Sequence, residues 1–167
     1  TVDIRGYALE KGLELVLGYE FSCDTHVDDV HILGYGLKWD MVQISEEVGR
    51  AKKSKSEAYE KLCDVLTQHE MSVDYAKEIL RYAHENGSEG FRKPDEVQRK
   101  HIFEVMAKKG YAPTWKEAKI LVRDNPELNV KREKIHPFDA IKLIKECGGI
   151  AVLAHPFLID EVIIYPY

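Results

Sequence analysis

The sequence predicts an α/β protein, because apolar, strand-like runs lie at both ends of the chain and a long charged stretch of helical period separates them. A third observation gives the sheet its expected direction. Residues 137–147 read as a helix that hands over through Gly148-Gly149 to an apolar run at 150–154, and βα order of this kind points to a parallel sheet.

The N-terminal elements come first. Residues 4–11 read as a helix without an N-cap, stopped by Gly12. Two short strands are predicted at Leu13–Leu17 and Tyr19–Cys23, followed by a polar acidic loop over Asp24–Asp29. Val30–Tyr35 is a further strand, ended by Gly34 and Gly36. From residue 37 to 133 no convincing strand is found. Ile44 and Val48 mark one apolar stripe; Ala58, Leu62, Val65 and Leu66 mark another. The period lapses between them, where Ser54 and Glu57 offer a capping box, so one helix and two remain equally consistent. A helix is expected from Val73 to Glu85, closed by Gly87. Another opens at Pro94 and closes at Gly110, and a third starts at the box Thr114-x-x-Glu117 and ends before Asn125-Pro126. Pro137 opens the last helix. The strand at 150–154 is wholly apolar, which fits burial on both faces.

With 167 residues the chain fits one domain, or one domain with an inserted subdomain. Chains of this size bury roughly 70% of their unfolded surface. Twenty-four basic and 29 acidic residues give a net charge of −5 with both signs interspersed, which excludes a broad basic face for nucleic acid. No apolar run reaches membrane-spanning length and no signal-peptide pattern opens the chain. The three cysteines, Cys23, Cys63 and Cys147, are odd in number and widely spaced, as expected of reduced thiols in the cytoplasm.

A few residues have the chemistry of a site. His155 directly follows the 150–154 strand and precedes Pro156; functional residues of α/β folds gather at such carboxyl ends, though a histidine there also serves simply to cap a strand. Glu20 lies in Gly18-Tyr19-Glu20-Phe21-Ser22, where a buried carboxylate needs a cation or strong donors and an edge carboxylate needs neither. His31 opens the run Val30–Tyr35, as a packed histidine or as a ligand. His26, Asp24, Asp28 and Asp29 are ligand types in a loop of ordinary solvated composition. Two imidazoles and a carboxylate suit zinc, manganese or iron. His101 falls with Val97 and Val105 at helical spacing, which reads as an apolar stripe. Lys52, Lys53 and Lys55 read as a solvated helix face.

Four stretches in order resemble the PHP (polymerase and histidinol phosphatase) family of metal-dependent phosphoesterases, in particular its branch of bacterial nucleoside bisphosphate and AMP phosphatases. They are Gly18-Tyr19-Glu20-Phe21-Ser22 (G-x-E-x-S), His31-Ile32-Leu33-Gly34-Tyr35 (H-I-L-G-Y), Arg99-Lys100-His101-Ile102 (R-P-H-I) and Gly148 through Pro156 (G-G-x-x-x-L-A-H-P). The resemblance implies a distorted β/α barrel, with barrel segments at 1–36 and 134–167 and an all-helical insertion at 37–133. It implies Glu20, His31 and His155 as ligands of divalent metal ions (Zn, Mn, Fe or Mg), and His101 and Arg99 as substrate-binding residues. The implied activity is hydrolysis of a phosphorylated small molecule, of nucleotide type, by metal-activated water. The sequence departs from the family in places. Its H-x-H and T-D-H-D motifs and its downstream Asp and His are not in the chain, which resembles a piece truncated at both ends that needs the remainder of the PHP polypeptide to complete the site. Lys100 stands where R-P-H-I has proline, and lysines stand where the insertion's first helix carries arginines. Two alternatives follow: a degenerate, non-catalytic module binding a protein or nucleotide, and the exonuclease role of polymerase-linked members, against which the acidic net charge argues.

Overall fold

The computed structural model describes residues 4–25, 30–38, 41–84 and 87–156. In chain order the elements are α1 (Ile4–Glu10), β1 (Gly18–Ser22), β2 (His31–Tyr35), α2 (Val42–Gln68), a π-helical turn (Tyr75–Leu80), β3 (Arg81–Ala83), β4 (Glu89–Phe91), a 3-10 turn (Pro94–Glu96), α3 (Arg99–Lys108), α4 (Trp115–Asp124), α5 (Pro137–Glu146) and β5 (Ile150–Leu153). They divide into two compact units, one drawn from residues 1–49 and 134–167 and the other from 50–133.

The first unit is built on a sheet in the order β1-β2-β5. Both pairings are antiparallel, so the parallel sheet expected from βα order is not what forms. β1 and β2 are consecutive and pair Gly18 with Tyr35 and Ser22 with His31, the pairing of neighbours along the chain; β5 then joins β2 from the other side. A single parallel bridge joins Cys23 to Ile135, and no closed barrel is seen among the described residues. Leu13–Leu17 is not a strand. Its side chains are largely exposed, and without a pairing partner its apolar run has no ladder to join.

One face of this sheet is the core face. Phe21 and Ile32 pack there with Ala140 and Ile144 of α5, with Cys147 just after it, and with Ile44 at the start of α2. Gly34 and Gly149 permit the close approach. A Cβ on Gly34 would meet Ile144 at 2.9 Å, and one on Gly149 would meet the carbonyl oxygen of Tyr35 at 2.8 Å. The opposite face is open. Contrary to a strand buried on both faces, Ile150 is 70% and Val152 43% exposed, because nothing among the described residues packs over them.

The second unit has its own core. Leu62, Cys63 and Leu66 of α2 meet Ile102, Phe103 and Met106 of α3, Ala118 and Val122 of α4, and Ile79 of the π-helical turn. α2 is one continuous helix of 27 residues. Ser54 restarts nothing. Its hydroxyl instead donates to the carbonyl of Glu133 at 3.1 Å and accepts from the Glu133 N–H at 2.8 Å.

The helix expected over Val73–Glu85 is replaced by the π-helical turn, capped by Asp74 through the N–H of Lys77, and by the hairpin β3–β4. The hairpin overturns the expectation of no strand between 37 and 133. Its contacts explain it: the Arg92 guanidinium lies 3.7 Å from the Tyr82 ring centre, and Gly90 leaves room for that ring, with which an added Cβ would collide. The helix expected to open at Pro94 also breaks. Val97 is extended (φ −64, ψ 136) between the 3-10 turn and α3. Val97 therefore belongs to no helical stripe with His101. The α4 cap behaves as read, with the Thr114 hydroxyl accepting from Lys116 N–H. No helix among the described residues is long and apolar enough to cross a membrane.

Candidate metal centre

Strand pairing brings Glu20 and His31 together. Glu20 faces Leu33 and Ser22 faces His31 across the β1–β2 ladder, so Glu20 and His31 are diagonal neighbours on one face. That face lies opposite Phe21 and Ile32, which turn into the core. The β1 alternation thus decides that Glu20 points away from the apolar packing.

His155 reaches the same place by a break in the pattern. Leu153 pairs with Ile32, and Ala154 N–H donates to the carbonyl of His31 at 2.9 Å. Regular alternation would send the next side chain, that of His155, to the core face. Instead its backbone takes φ +31, a left-handed value rare outside glycine. The side chain thereby turns back toward His31.

The three functional atoms converge. His31 Nδ1 lies 2.7 Å from Glu20 Oε1, His155 Nε2 lies 3.1 Å from His31 Nδ1, and His155 Nε2 lies 3.4 Å from Glu20 Oε1. Side-chain exposure is 47% for Glu20, 24% for His31 and 33% for His155. The rings of His31 and His155 meet edge to face with centroids 4.9 Å apart. The hydrogen bond from His31 is the main cause that holds the Glu20 carboxyl below the usual carboxylate range; burial opposes it, and the lesser effects of the His31 charge and of His155 add to it.

This arrangement suits a cation better than protons. A ring nitrogen that carries a hydrogen for Glu20 cannot also accept one from the other ring. If both nitrogens carry hydrogen, two N–H groups crowd one carboxylate oxygen and face each other at 3.1 Å. If the rings are neutral with their lone pairs inward, three donor atoms point into one small space. Atoms 2.7–3.4 Å apart are near enough to share one ion with bonds of about 2.0–2.2 Å. The donor set, two imidazole nitrogens and one carboxylate oxygen, fits a borderline divalent metal. Asp24 is exposed and takes no part in the cluster, while His26, Asp28 and Asp29 lie outside the described residues.

Arg99 and His101 belong to the other unit. His101 sits in the first turn of α3, where its Nδ1 accepts the Gln98 N–H at 3.1 Å. That bond fixes the tautomer: the proton resides on Nε2, which is left as a donor. Burial, and then the charge of Arg92, push its pKa down, so the ring is neutral at neutral pH. Arg99 is half-buried, donates to the side-chain oxygen of Asn129 at 3.4 Å and lies 5.8 Å from the Phe103 ring centre.

No family-level sequence profile and no curated protein matches the chain. Solved structures do match its fold, among them the following two. One is an amidohydrolase from Chromobacterium violaceum with bound sulfate and no metal; it superposes with a TM-score of 0.70 at 19% identity, over 94% of this chain and 52% of that one. Another is a protein assigned as a metal-dependent phosphoesterase from Bifidobacterium adolescentis, with a TM-score of 0.62 at 18% identity, over 90% of this chain and 50% of that one. The chain spans about half the length of these neighbours and shares their mixed helix-and-sheet fold.

Proposed function

We propose that this chain is part of a PHP-type, metal-dependent phosphoesterase that hydrolyses phosphomonoesters of nucleotide type. The observation that carries the reading is the convergence of Glu20, His31 and His155 within 2.7–3.4 Å. These three residues would hold a divalent ion, and their nitrogen-rich set favours Zn, Mn or Fe over Mg, which prefers oxygen. When bound, the ion supplies Lewis acidity toward phosphoryl oxygens and an acidified water as nucleophile.

The chain's own residues do the rest. Glu20, held ionised by its imidazole neighbours, offsets part of the ion's charge. His101 binds phosphate as a neutral Nε2–H donor, and Arg99 as a cation able to give two parallel hydrogen bonds. Sulfate in the C. violaceum neighbour and the phosphoesterase assignment of the B. adolescentis one both support a phosphate-like substrate. In this reading residues 1–36 and 134–167 are barrel segments, 37–133 is a helical insertion, and the remaining polypeptide completes the ligand set.

Elemental analysis of the purified chain and of an extended polypeptide, together with a phosphatase screen, tests this. Stoichiometric metal and phosphate release are expected from the extended form, and His155→Ala should lower both. Unchanged metal content and activity in that variant would end the ligand assignment. An extended polypeptide without stoichiometric metal would favour the degenerate, non-catalytic module.

A further inference from the structure

We infer that β5 is a docking edge for a second copy of this chain, pairing antiparallel with its own counterpart about a two-fold axis at Val152. The ladder decides which main-chain groups are free. Ala154 N–H donates to the carbonyl of His31, and the β2–β5 register runs from Ile32–Leu153 to Tyr35–Ile150. Antiparallel bonding alternates along a ladder, so Val152 and Ile150 also bond β2. The N–H and C=O of Ala151 and Leu153 point the other way. Among the described residues β5 is the end of its sheet, so no strand there meets them.

The two edges of this sheet differ. Next to β1, Cys23 is bridged to Ile135 and Asp24 N–H donates to the Ile135 carbonyl at 2.9 Å, while Glu20 places a charge on the strand itself. β5 has none of the devices that blunt an edge. Ile150-Ala151-Val152-Leu153 carries no charge and no proline, and Ile150, Val152 and Leu153 are exposed. The strand is also complementary to itself. With Val152 opposite the second copy's Val152, Ala151 lies opposite the copy's Leu153 and Leu153 opposite the copy's Ala151. Those are the residues whose main-chain groups are free, so both pairs can exchange hydrogen bonds. A small side chain meets a large one on the core side of the sheet, and two β-branched valines meet on the open face. A one-residue slip sets free groups against bonded ones; a two-residue slip opposes alanine to alanine or leucine to leucine. The pairing continues the sheet from β5 into the copy's β5 and sets both Glu20–His31–His155 clusters on the same side. So short a contact buries less than the roughly 1,600 Å² of a standard interface, which makes the association weak and concentration-dependent.

The inference does not depend on the proposed function. The test is sedimentation of the full chain, kept free of metal by a chelator, from micromolar to millimolar concentration. The mass should rise with concentration from that of the monomer toward twice that value. Val152→Lys sets two ammonium groups against each other at the two-fold axis and should weaken the association severalfold or more. Val152→Cys should cross-link two copies through a disulfide on mild oxidation, because directly opposed residues bring their Cβ atoms to about 4.5–5.5 Å. Ile150→Cys, four residues out of register with its counterpart, should not cross-link. The native Cys23, Cys63 and Cys147 are buried and free, so they do not compete. A monomer at every concentration would leave the edge to another segment of the polypeptide and overturn the proposal. So would association indifferent to Val152→Lys, or cross-linking equal at positions 150 and 152. If Val152→Lys fails to fold, the two cysteine variants decide.

Discussion

His155 stands at φ +31 directly before Pro156, a position penalised twice. Non-glycine residues avoid left-handed backbone, and a following proline pushes its predecessor toward extended conformations. Strain of this kind costs about 1–3 kcal/mol and gathers at functional sites. Asparagine tolerates left-handed backbone better than histidine. His155→Asn should therefore leave the metal-free chain as stable or up to about 1 kcal/mol more stable, while abolishing stoichiometric metal uptake. Urea midpoints and elemental analysis of the same preparations check both halves, and a clear loss of stability would mean that the ring contact with His31 matters more than the strain. At this scale the sequence is legible for residue types: a carboxylate and two imidazoles at the ends of apolar runs. The reversal that swings His155 onto the face of Glu20 and His31 is not legible, since it depends on where β5 stops against β2.

Among the elements, α4 and α5 were readable because their starts are written locally, in Thr114 and in Pro137. α2 was ambiguous because Ser54 satisfies a partner 79 residues away instead of capping its own helix. The hairpin β3–β4 was invisible because three-residue strands carry no periodicity, and the Tyr82–Arg92 stack that steadies them is a tertiary contact. The buried face of α2 has a consequence for pH. Burial pushes the Cys63 thiol from its ordinary 9.0 up to about 12, with nearby acids adding to the effect. The folded state thus keeps a proton that the unfolded chain releases above pH 9. The stability this gives is fully present below pH 9 and is lost as pH rises toward 12. Between pH 8 and 10.5 the urea midpoint should fall, by an amount equivalent to about 1–2 kcal/mol from this group. In Cys63→Ala the fall should be smaller by that amount; an equal fall would assign the alkaline loss to other groups.

For the whole molecule, two separate cores coexist with a sheet face that is uncovered among the described residues and carries the candidate metal centre. The three candidate ligands come from β1, β2 and the end of β5, which are distant in sequence, so an ion binding them would close loops that the unfolded chain leaves open. Zinc at a hundred times its dissociation constant should stabilise the chain by about 2.7 kcal/mol, visible as a raised melting temperature. The rise should vanish in His155→Ala. A melting temperature indifferent to zinc, manganese and iron alike would mean that the centre does not hold these ions in this chain.

The sequence by itself determined the helix-forming middle, the apolar strands at the ends and the residue types of the centre, because propensity, capping and periodicity act over a few neighbouring positions. Only the tertiary structure decided that the sheet is antiparallel, that β5 keeps one face open, and that Glu20, His31 and His155 share one small space. Those outcomes depend on strand register and on contacts between residues far apart in the chain, which no local pattern encodes.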